Sequence, residues 1–257
     1  MKIAIIGNGN VATSLHAAFG KKGIDAPMIS SRDLVQNSQM SNDHGCADRK
    51  KCQMTNDYDV YIYAVRDEAL QAVVDAVHAP ARAIHVHTSG TVPVSVFGED
   101  KQHCGILYPF QTFSKAQPID DFADIPLFIE GRSIDDVAAI YTLALTLSPR
   151  VIETSQSDRE RLHVAGVFAN NFTNCMYRMA ADMLKGTSIP FSALLPLIDQ
   201  TAAKVHTMTP RDAQTGPAIR HDEQVIRHHL DMLSAAPLTS DKLAEVYRLL
   251  TDYIQSE

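Results

Sequence analysis

Six residues near the start constrain this chain more than any others. Gly7-Asn8-Gly9-Asn10-Val11-Ala12 reads G-x-G-x-x-A, between a short apolar run, Lys2 to Ile6, and a helix-patterned stretch from Asn10 to Lys22. A strand-turn-helix with this spacing suits a pyrophosphate. The first glycine permits a tight turn, the second lets backbone approach the phosphates, and the small third residue lets helix and strand pack closely. Amides at the helix start and the positive end of its dipole then face the anion. Glycines also occur in ordinary strand-to-helix turns, but the strand before and the helix after favour a dinucleotide site.

The first half of the chain alternates strand and helix patterns. Further strands are expected at about Pro27 to Ser31, Tyr58 to Val65, Arg82 to His87, Gly105 to Tyr108, Pro126 to Glu130 and Arg150 to Glu153, with a helix from Ile134 to Leu147. Strands spaced by helices make a mostly parallel sheet with helices on its faces. After Thr154 the pattern is helical only. Ser157-Asp-Arg-Glu160 reads as a capping box opening a helix that runs to Lys185 and stops at Gly186. More helices are expected at Phe191 to Met208, His221 to Leu233 and Asp241 to Gln255, the last capped by Ser240. The chain therefore divides into an α/β domain, 1–153, and an all-helical domain, 154–257. Residues 36–57 are polar and aperiodic and read as loop.

Composition narrows the function. With 257 residues the chain suits one or two domains, and 45% hydrophobic against 21% charged residues is ordinary globular composition. A net charge of −7 argues against a nucleic-acid binder. No apolar run approaches the ~18 residues of a membrane span, and the start runs into structure without a cleavable signal. Four scattered cysteines fit reduced thiols in a cytoplasm. His44, Cys46 and Cys52 match no zinc spacing, so no metal is expected. Arg49-Lys50-Lys51 reads as a solvated face and His228-His229 as surface residues.

At the end of the second strand, where an NAD site usually places an acid, stands Ser30-Ser31-Arg32. Hydroxyls and a guanidinium suit a 2′-phosphate, which favours NADP; the alternative is a surface arginine with Asp33 on the ribose. Ligands of open α/β sheets lie outside the carboxyl ends of the strands. The loops there are Ala64-Val65-Arg66-Asp67, His87-Thr88-Ser89-Gly90-Thr91, and Tyr108 to Phe113. Thr88, Ser89 and Gly90 read as an anion- or hydroxyl-binding corner, and one of His85 and His87 reads as a core histidine. On an unbroken helix at about 100° per residue, His163, Asn170 and Asn174 share one line, with Asn171 to one side. This stripe meets either another helix, water or a ligand; in the last case His163 can give a proton and the amides can hold a substrate. Thr215 to Asp222 is either a connecting turn with a capping aspartate or a segment presenting Arg220 to an anion, across a dimer interface for example.

Taken together, GNGNVATSL, SSR, HTSGT, YPFQTFSK, FANNFTNCMY and TGPAIRHDE resemble a family of NADP oxidoreductases with a Rossmann-like N-terminal half. The helical half of that family is catalogued as a domain of unknown function. More distantly the chain is similar to pyrroline-5-carboxylate reductase, ketopantoate reductase and the β-hydroxyacid dehydrogenases. The resemblance covers essentially the whole chain and implies a C-terminal domain of the 6-phosphogluconate-dehydrogenase type that makes a homodimer. It also implies pyrophosphate binding at Gly7, Gly9 and Ala12, 2′-phosphate binding at Ser31 and Arg32, and a nicotinamide beside Ala64 and Val65. Ser89-Gly90 resembles a substrate loop. His163 stands roughly where the β-hydroxyacid dehydrogenases carry a lysine, and Val167 takes the place of their asparagine. The expectation is an NADP(H)-dependent oxidoreductase acting on a C=O or C=N group of a small anionic metabolite, with His163 as proton donor and Ser89 and Asn170 orienting the substrate. The alternative is a non-catalytic NADP sensor or scaffold dimer.

Overall fold

A computed structural model describes residues 1–43, 58–235 and 241–256. Two compact units divide it, Met1–Phe168 and Ala169–Glu257. In the first, seven strands form one sheet: β1 (Ile3–Ile6), β2 (Met28–Ile29), β3 (Val60–Tyr63), β4 (Ile84–His87), β5 (Cys104–Pro109), β6 (Leu127–Gly131) and β7 (Val151–Glu153). Their order is β2-β1-β3-β4-β5-β6-β7, and every pairing is parallel except β5 with β6. The sheet is thus mostly parallel, as the strand spacing implied, and Rossmann-like, as the resemblance implied.

Strand alternation distributes the core to two faces. Ile3 and Ile5 of β1 and Val60 and Ile62 of β3 join Leu15 and Phe19 of α1 (Asn10–Lys21) and Ile140 and Leu143 of α4 (Ile134–Leu145). Ala4, Ile6, Tyr61 and Tyr63, one step along the same strands, join Leu70, Val73 and Val74 of α3 (Asp67–Ala76) on the other face. Each large side chain taken wholly from water contributes about 1.5–3 kcal/mol, so helices on both faces keep the continuous apolar strands dry. The chain leaves β1 toward β2 on one side and returns to β3 on the other, which opens a crevice at the carboxyl ends of β1 and β3.

Several boundaries differ from expectation. Residues 36–43 are not loop: α2 spans Ser31–Asp43, a largely polar helix whose faint periodicity hid it. The expected loop at 44–57, with His44, Cys46, Cys52 and the basic run Arg49 to Lys51, lies outside the described residues, as does Ser240. α5 (Gln156–Gly166) opens at Ser155, whose Oγ accepts from the Asp158 amide at 3.2 Å, so the cap falls two residues before the expected Ser157. The helix then passes through a π-helical stretch, Val167–Phe172, into α6 (Thr173–Met183). The division into units falls inside that stretch, beyond residue 153, because α5 sits on the carboxyl edge of the sheet through Arg159 and His163.

In the second unit helices are the only regular elements among the described residues. α6 is followed by α7 (Leu195–Lys204), α8 (Glu223–Ala235) and α9 (Asp241–Gln255). α8 and α9 pack together, and His229 Nδ1 meets the Tyr247 hydroxyl at 2.8 Å, so this histidine is a helix–helix contact rather than a free surface group.

Candidate active site

The turn after β1 has the geometry its glycines imply. The Gly7 amide donates to the Ile29 carbonyl at 2.8 Å, and its φ of +127° is reserved for glycine. A Cβ there would run into the carbonyl oxygen of Ala64, so Gly7 lets β1 and β3 end side by side. Gly9 is different. It precedes α1 in extended conformation, and a Cβ on it would meet nothing within 4 Å. No protein atom demands glycine at this position; the space beside it is open. No side chain caps α1 and no acid stands in its first turn, so the first amides present an uncompensated positive end. Asn10 turns its carboxamide elsewhere, accepting from the Lys115 amide at 3.1 Å, and buried Ala12 packs the helix on the sheet.

This loop forms one wall of a cavity of about 740 Å³. Its other walls are the start of α2, with Ser31, Arg32 and Asp33, and the end of β3, with Ala64, Val65 and Arg66; Thr88 also lines it. The size falls within the range of small-molecule sites. Ser30 is a helix cap: its Oγ accepts from the Asp33 amide at 3.3 Å and its carbonyl from the Leu34 amide at 3.2 Å. That leaves the Ser31 hydroxyl, the Arg32 guanidinium and the amides of Ser31 and Arg32 for an anion, with the Asp33 carboxylate in the same turn. Arg66, which the sequence reading passed over, adds a second guanidinium to the same cavity, in an exposed ion pair with Glu68 at 2.9 Å. The cradle beside Gly9, the two helix starts and the guanidiniums fit a dinucleotide carrying an extra phosphate.

Two residues beyond Thr88 the chain meets α5. The loop is stitched by its own polar groups. Ser89 Oγ accepts from the amides of Thr91 and Val92, each at 3.1 Å, and Thr91 donates to Asp67 at 2.7 Å. Ser89 Oγ also lies 3.4 Å from Thr91 Oγ1, whose one proton goes to Asp67, so the Ser89 proton points to Thr91 and must turn from it to reach a ligand. The Ser89 amide donates to His87 Nδ1 at 3.2 Å, and burial pushes that imidazole down to about 4, neutral in the core. His85 is also a core residue, meeting the Tyr63 hydroxyl at 2.8 Å and pushed by burial to about 3. Both strand histidines are thus interior groups.

Gly90 is buried, and a Cβ on it would lie 2.6 Å from His163 Nδ1 and 3.0 Å from Tyr108 Cζ. His163 and Tyr108 meet over that bare backbone, with 3.0 Å between Nδ1 and the phenol oxygen. Burial lifts Tyr108 above the usual phenol value; Arg159 opposes the shift and Asp67 adds to it. Arg159, 0% exposed, donates to the Ser89 carbonyl at 3.3 Å and to Glu130 at 3.2 Å, tying α5 to the loop and to β6. Gly166 admits the Phe110 ring in the same way, its missing Cβ falling 2.7 Å from the ring edge. Tyr108 and Arg159, which meet the loop and His163 here, were not singled out in the sequence. The one signal for Tyr108 was its place at the end of an expected strand, and Arg159 was concealed in a helix-start motif.

The helical residues stand otherwise. Asn170, Asn171 and Asn174 are exposed, and the line they were expected to share with His163 assumed an unbroken α-helix. The π-helical stretch lies between them and changes the angular step, so the stripe does not follow from the spacing. Arg220 is exposed, next to His221 in left-handed conformation at φ 51°, and Asp222 accepts from the Val225 amide at the start of α8. The capping aspartate of that segment is therefore present.

Comparison with known proteins places this arrangement in a class. Residues 2–89 match the family described as NADP oxidoreductase, coenzyme F420-dependent, and residues 125–254 match Domain of unknown function (DUF2520). The crystal structure of the "putative NADP oxidoreductase" BF3122 from Bacteroides fragilis is 39% identical over 100% of this chain and 98% of its own, with a TM-score of 0.83. The chain belongs to this family of NADP oxidoreductases with a Rossmann-like first half and a DUF2520 second half. An imine reductase from Myxococcus stipitatus in complex with NADP+ shares the fold at 15% identity, covering 100% of this chain and 92% of its own, with a TM-score of 0.56. A 1-pyrroline-5-carboxylate reductase from Streptococcus pyogenes does so at 15% identity, over 100% and 99%, with a TM-score of 0.54. No curated protein matches the chain.

Proposed function

We propose that this chain reduces a C=O or C=N group of a small anionic metabolite, with NADPH held in the cavity beside Gly9. The observation that carries the reading is that cavity: bare backbone at Gly9, two helix starts, and both Arg32 and Arg66 in its lining. Asn8, Asn10, Val11 and Ala12 supply backbone around the pyrophosphate, Ser31 and Arg32 take the 2′-phosphate, and Ala64 and Val65 face the nicotinamide. NADPH, when bound, supplies the hydride. His163 gives the proton to the oxygen or nitrogen that gains charge, and Ser89 donates a hydrogen bond to the substrate. Its place is supported by Thr88, which lines the cavity, and by Gly90, which carries His163 two residues on.

The functional boundary stays at 153, where the sheet ends, and the helical part makes a homodimer. Supporting this are large apolar side chains left exposed there, among them Leu197 at 66%, Leu249 at 63% and Tyr253 at 65%. Among the described residues no helix is long and apolar enough to cross a membrane, and the thiol usage supports a cytoplasmic setting.

The test is a titration with NADPH and NADH, followed by nicotinamide fluorescence. NADPH is expected to bind at least tenfold tighter, about 1.4 kcal/mol, and Arg32→Ala should remove that preference while leaving NADH affinity unchanged. Equal affinities in the unaltered protein refute the 2′-phosphate assignment, and binding of neither refutes the enzyme reading and leaves a scaffold.

A further inference from the structure

The contact between β5 and α5 assigns a role to a residue given none in the proposed function, and the inference rests on His163 being the proton donor. We propose that Tyr108 is the positioning residue for His163, holding Nδ1 so that Nε2 is the nitrogen turned to the reacting group. The phenol oxygen lies 3.0 Å from Nδ1, and Gly90 removes the one Cβ that would part the two rings. A phenol both donates and accepts, so it can hold Nδ1 in either charge state. When the ring is neutral, the Tyr108 hydroxyl donates to Nδ1 and the ring proton sits on Nε2. When the ring is charged, Nδ1–H donates to the phenol oxygen and Nε2–H is the proton free to leave. In the reducing step the Nε2–H bond breaks and an O–H or N–H bond forms on the substrate atom. The imidazolium becomes neutral imidazole with its remaining proton on Nδ1; uptake of a proton from water at Nε2 and loss of the Nδ1 proton to water then restore the resting tautomer, in which the phenol donates to Nδ1.

The tyrosine is suited to this task rather than to giving up its own proton. Burial lifts it above the usual phenol value, so it stays protonated while the imidazole cycles. Its ring is fixed from a second side by an edge contact with Phe110, centroids 5.9 Å apart. The charged groups around the pair are Arg159 of α5, which pairs with Glu130 of β6, and Asp67 of α3. Removing the hydroxyl alone, as Tyr108→Phe does, keeps the aromatic packing and deletes the bond to Nδ1.

Imidazole 15N spectra of the full-length protein test the assignment, with the His163 signals identified from their loss in His163→Gln among the 11 histidines. At a pH where the ring is neutral, the protein should show a single tautomer, proton on Nε2, with Nδ1 shifted by an accepted hydrogen bond. Tyr108→Phe should lose that shift and mix the two tautomers. Gly90→Ala, which parts the rings while keeping the hydroxyl, should do the same. Identical His163 nitrogen shifts in the unaltered protein and Tyr108→Phe overturn the proposal, as does a neutral ring carrying its proton on Nδ1. The NADPH titration reads the underlying function separately: a protein that shows the Tyr108-dependent tautomer yet binds no NADPH retains the positioning contact and refutes the oxidoreductase reading alone.

Discussion

Two glycines in one loop should fail in opposite ways when each gains a methyl group. Gly7→Ala forces an L side chain into φ +127°, which costs about 1–3 kcal/mol, and drives its Cβ into the Ala64 carbonyl. That obstacle is the backbone of a central strand, so relief requires moving β3 against β1, and overpacking of this kind adds about 1–3 kcal/mol. A total near 3 kcal/mol lowers the unfolding temperature by about 6–12 °C in a protein of this size. Gly9→Ala sits at φ −81° with nothing within 4 Å of the new carbon. Alanine is a poorer helix cap than glycine by some tenths of a kcal/mol, and its stiffer unfolded chain returns about 0.4–1 kcal/mol, so stability should change by less than about 0.5 kcal/mol. The same methyl occupies the proposed pyrophosphate cradle, and NADPH affinity should fall at least tenfold, about 1.4 kcal/mol. Thermal unfolding by circular dichroism and fluorescence titration with NADPH read the two effects separately. A Gly9→Ala protein that binds NADPH as tightly as the unaltered chain refutes the reasoning, whatever its stability.

Other perturbations address the sheet edge and its interior. Arg159→Ala removes the partner of Glu130 and of the Ser89 carbonyl; because Glu130 keeps 22% exposure, the loss should be about 2 kcal/mol rather than the 3–5 of a fully buried pair. A urea midpoint equal to that of the unaltered protein would show that the guanidinium anchors nothing. The core histidines set an acid limit. His85 and His87 are held neutral in the fold, at about 3 and about 4 against 6.5, so the unfolded chain binds more protons below 6.5. Their contribution is complete above about pH 6.5 and declines as pH falls toward those values, by about 1.4 kcal/mol per pH unit for each ring. Urea midpoints should therefore drop between pH 6.5 and 5, with a shallower slope in His87→Gln; a midpoint constant over that range contradicts the burial of neutral imidazoles.

How far the chain could be read in advance depended on the distance over which each feature is decided. Ile3 to Ile6, the glycine turn and the start of α1 are set within about a dozen residues, and all were legible. α2 was not, because Ser31 to Asp43 carries too few apolar residues to show a helical period. The start of α5 was a tie between two local motifs, Ser155 with Asp158 and Ser157 with Glu160. The chain resolved it by ending β7 at Glu153 and turning Arg159 into the sheet edge. The polar stripe from His163 to Asn174 rested on a constant angular step, which the π-helical stretch interrupts.

The sequence by itself determined that this chain has a mostly parallel sheet, a glycine turn between its first strand and first helix, and a helical second half. Each of these follows from periodicity and from what glycine, serine and β-branched residues do to their immediate neighbours. Only the tertiary structure decided what surrounds His163. Tyr108 reaches His163 across 55 positions, and Arg159 reaches the Ser89 carbonyl across 70. Those contacts arise because β4 and β5 lie side by side with their carboxyl ends at one edge and α5 returns over it. Strand order, which is settled by packing of the whole sheet, makes neighbours of residues that no local pattern connects.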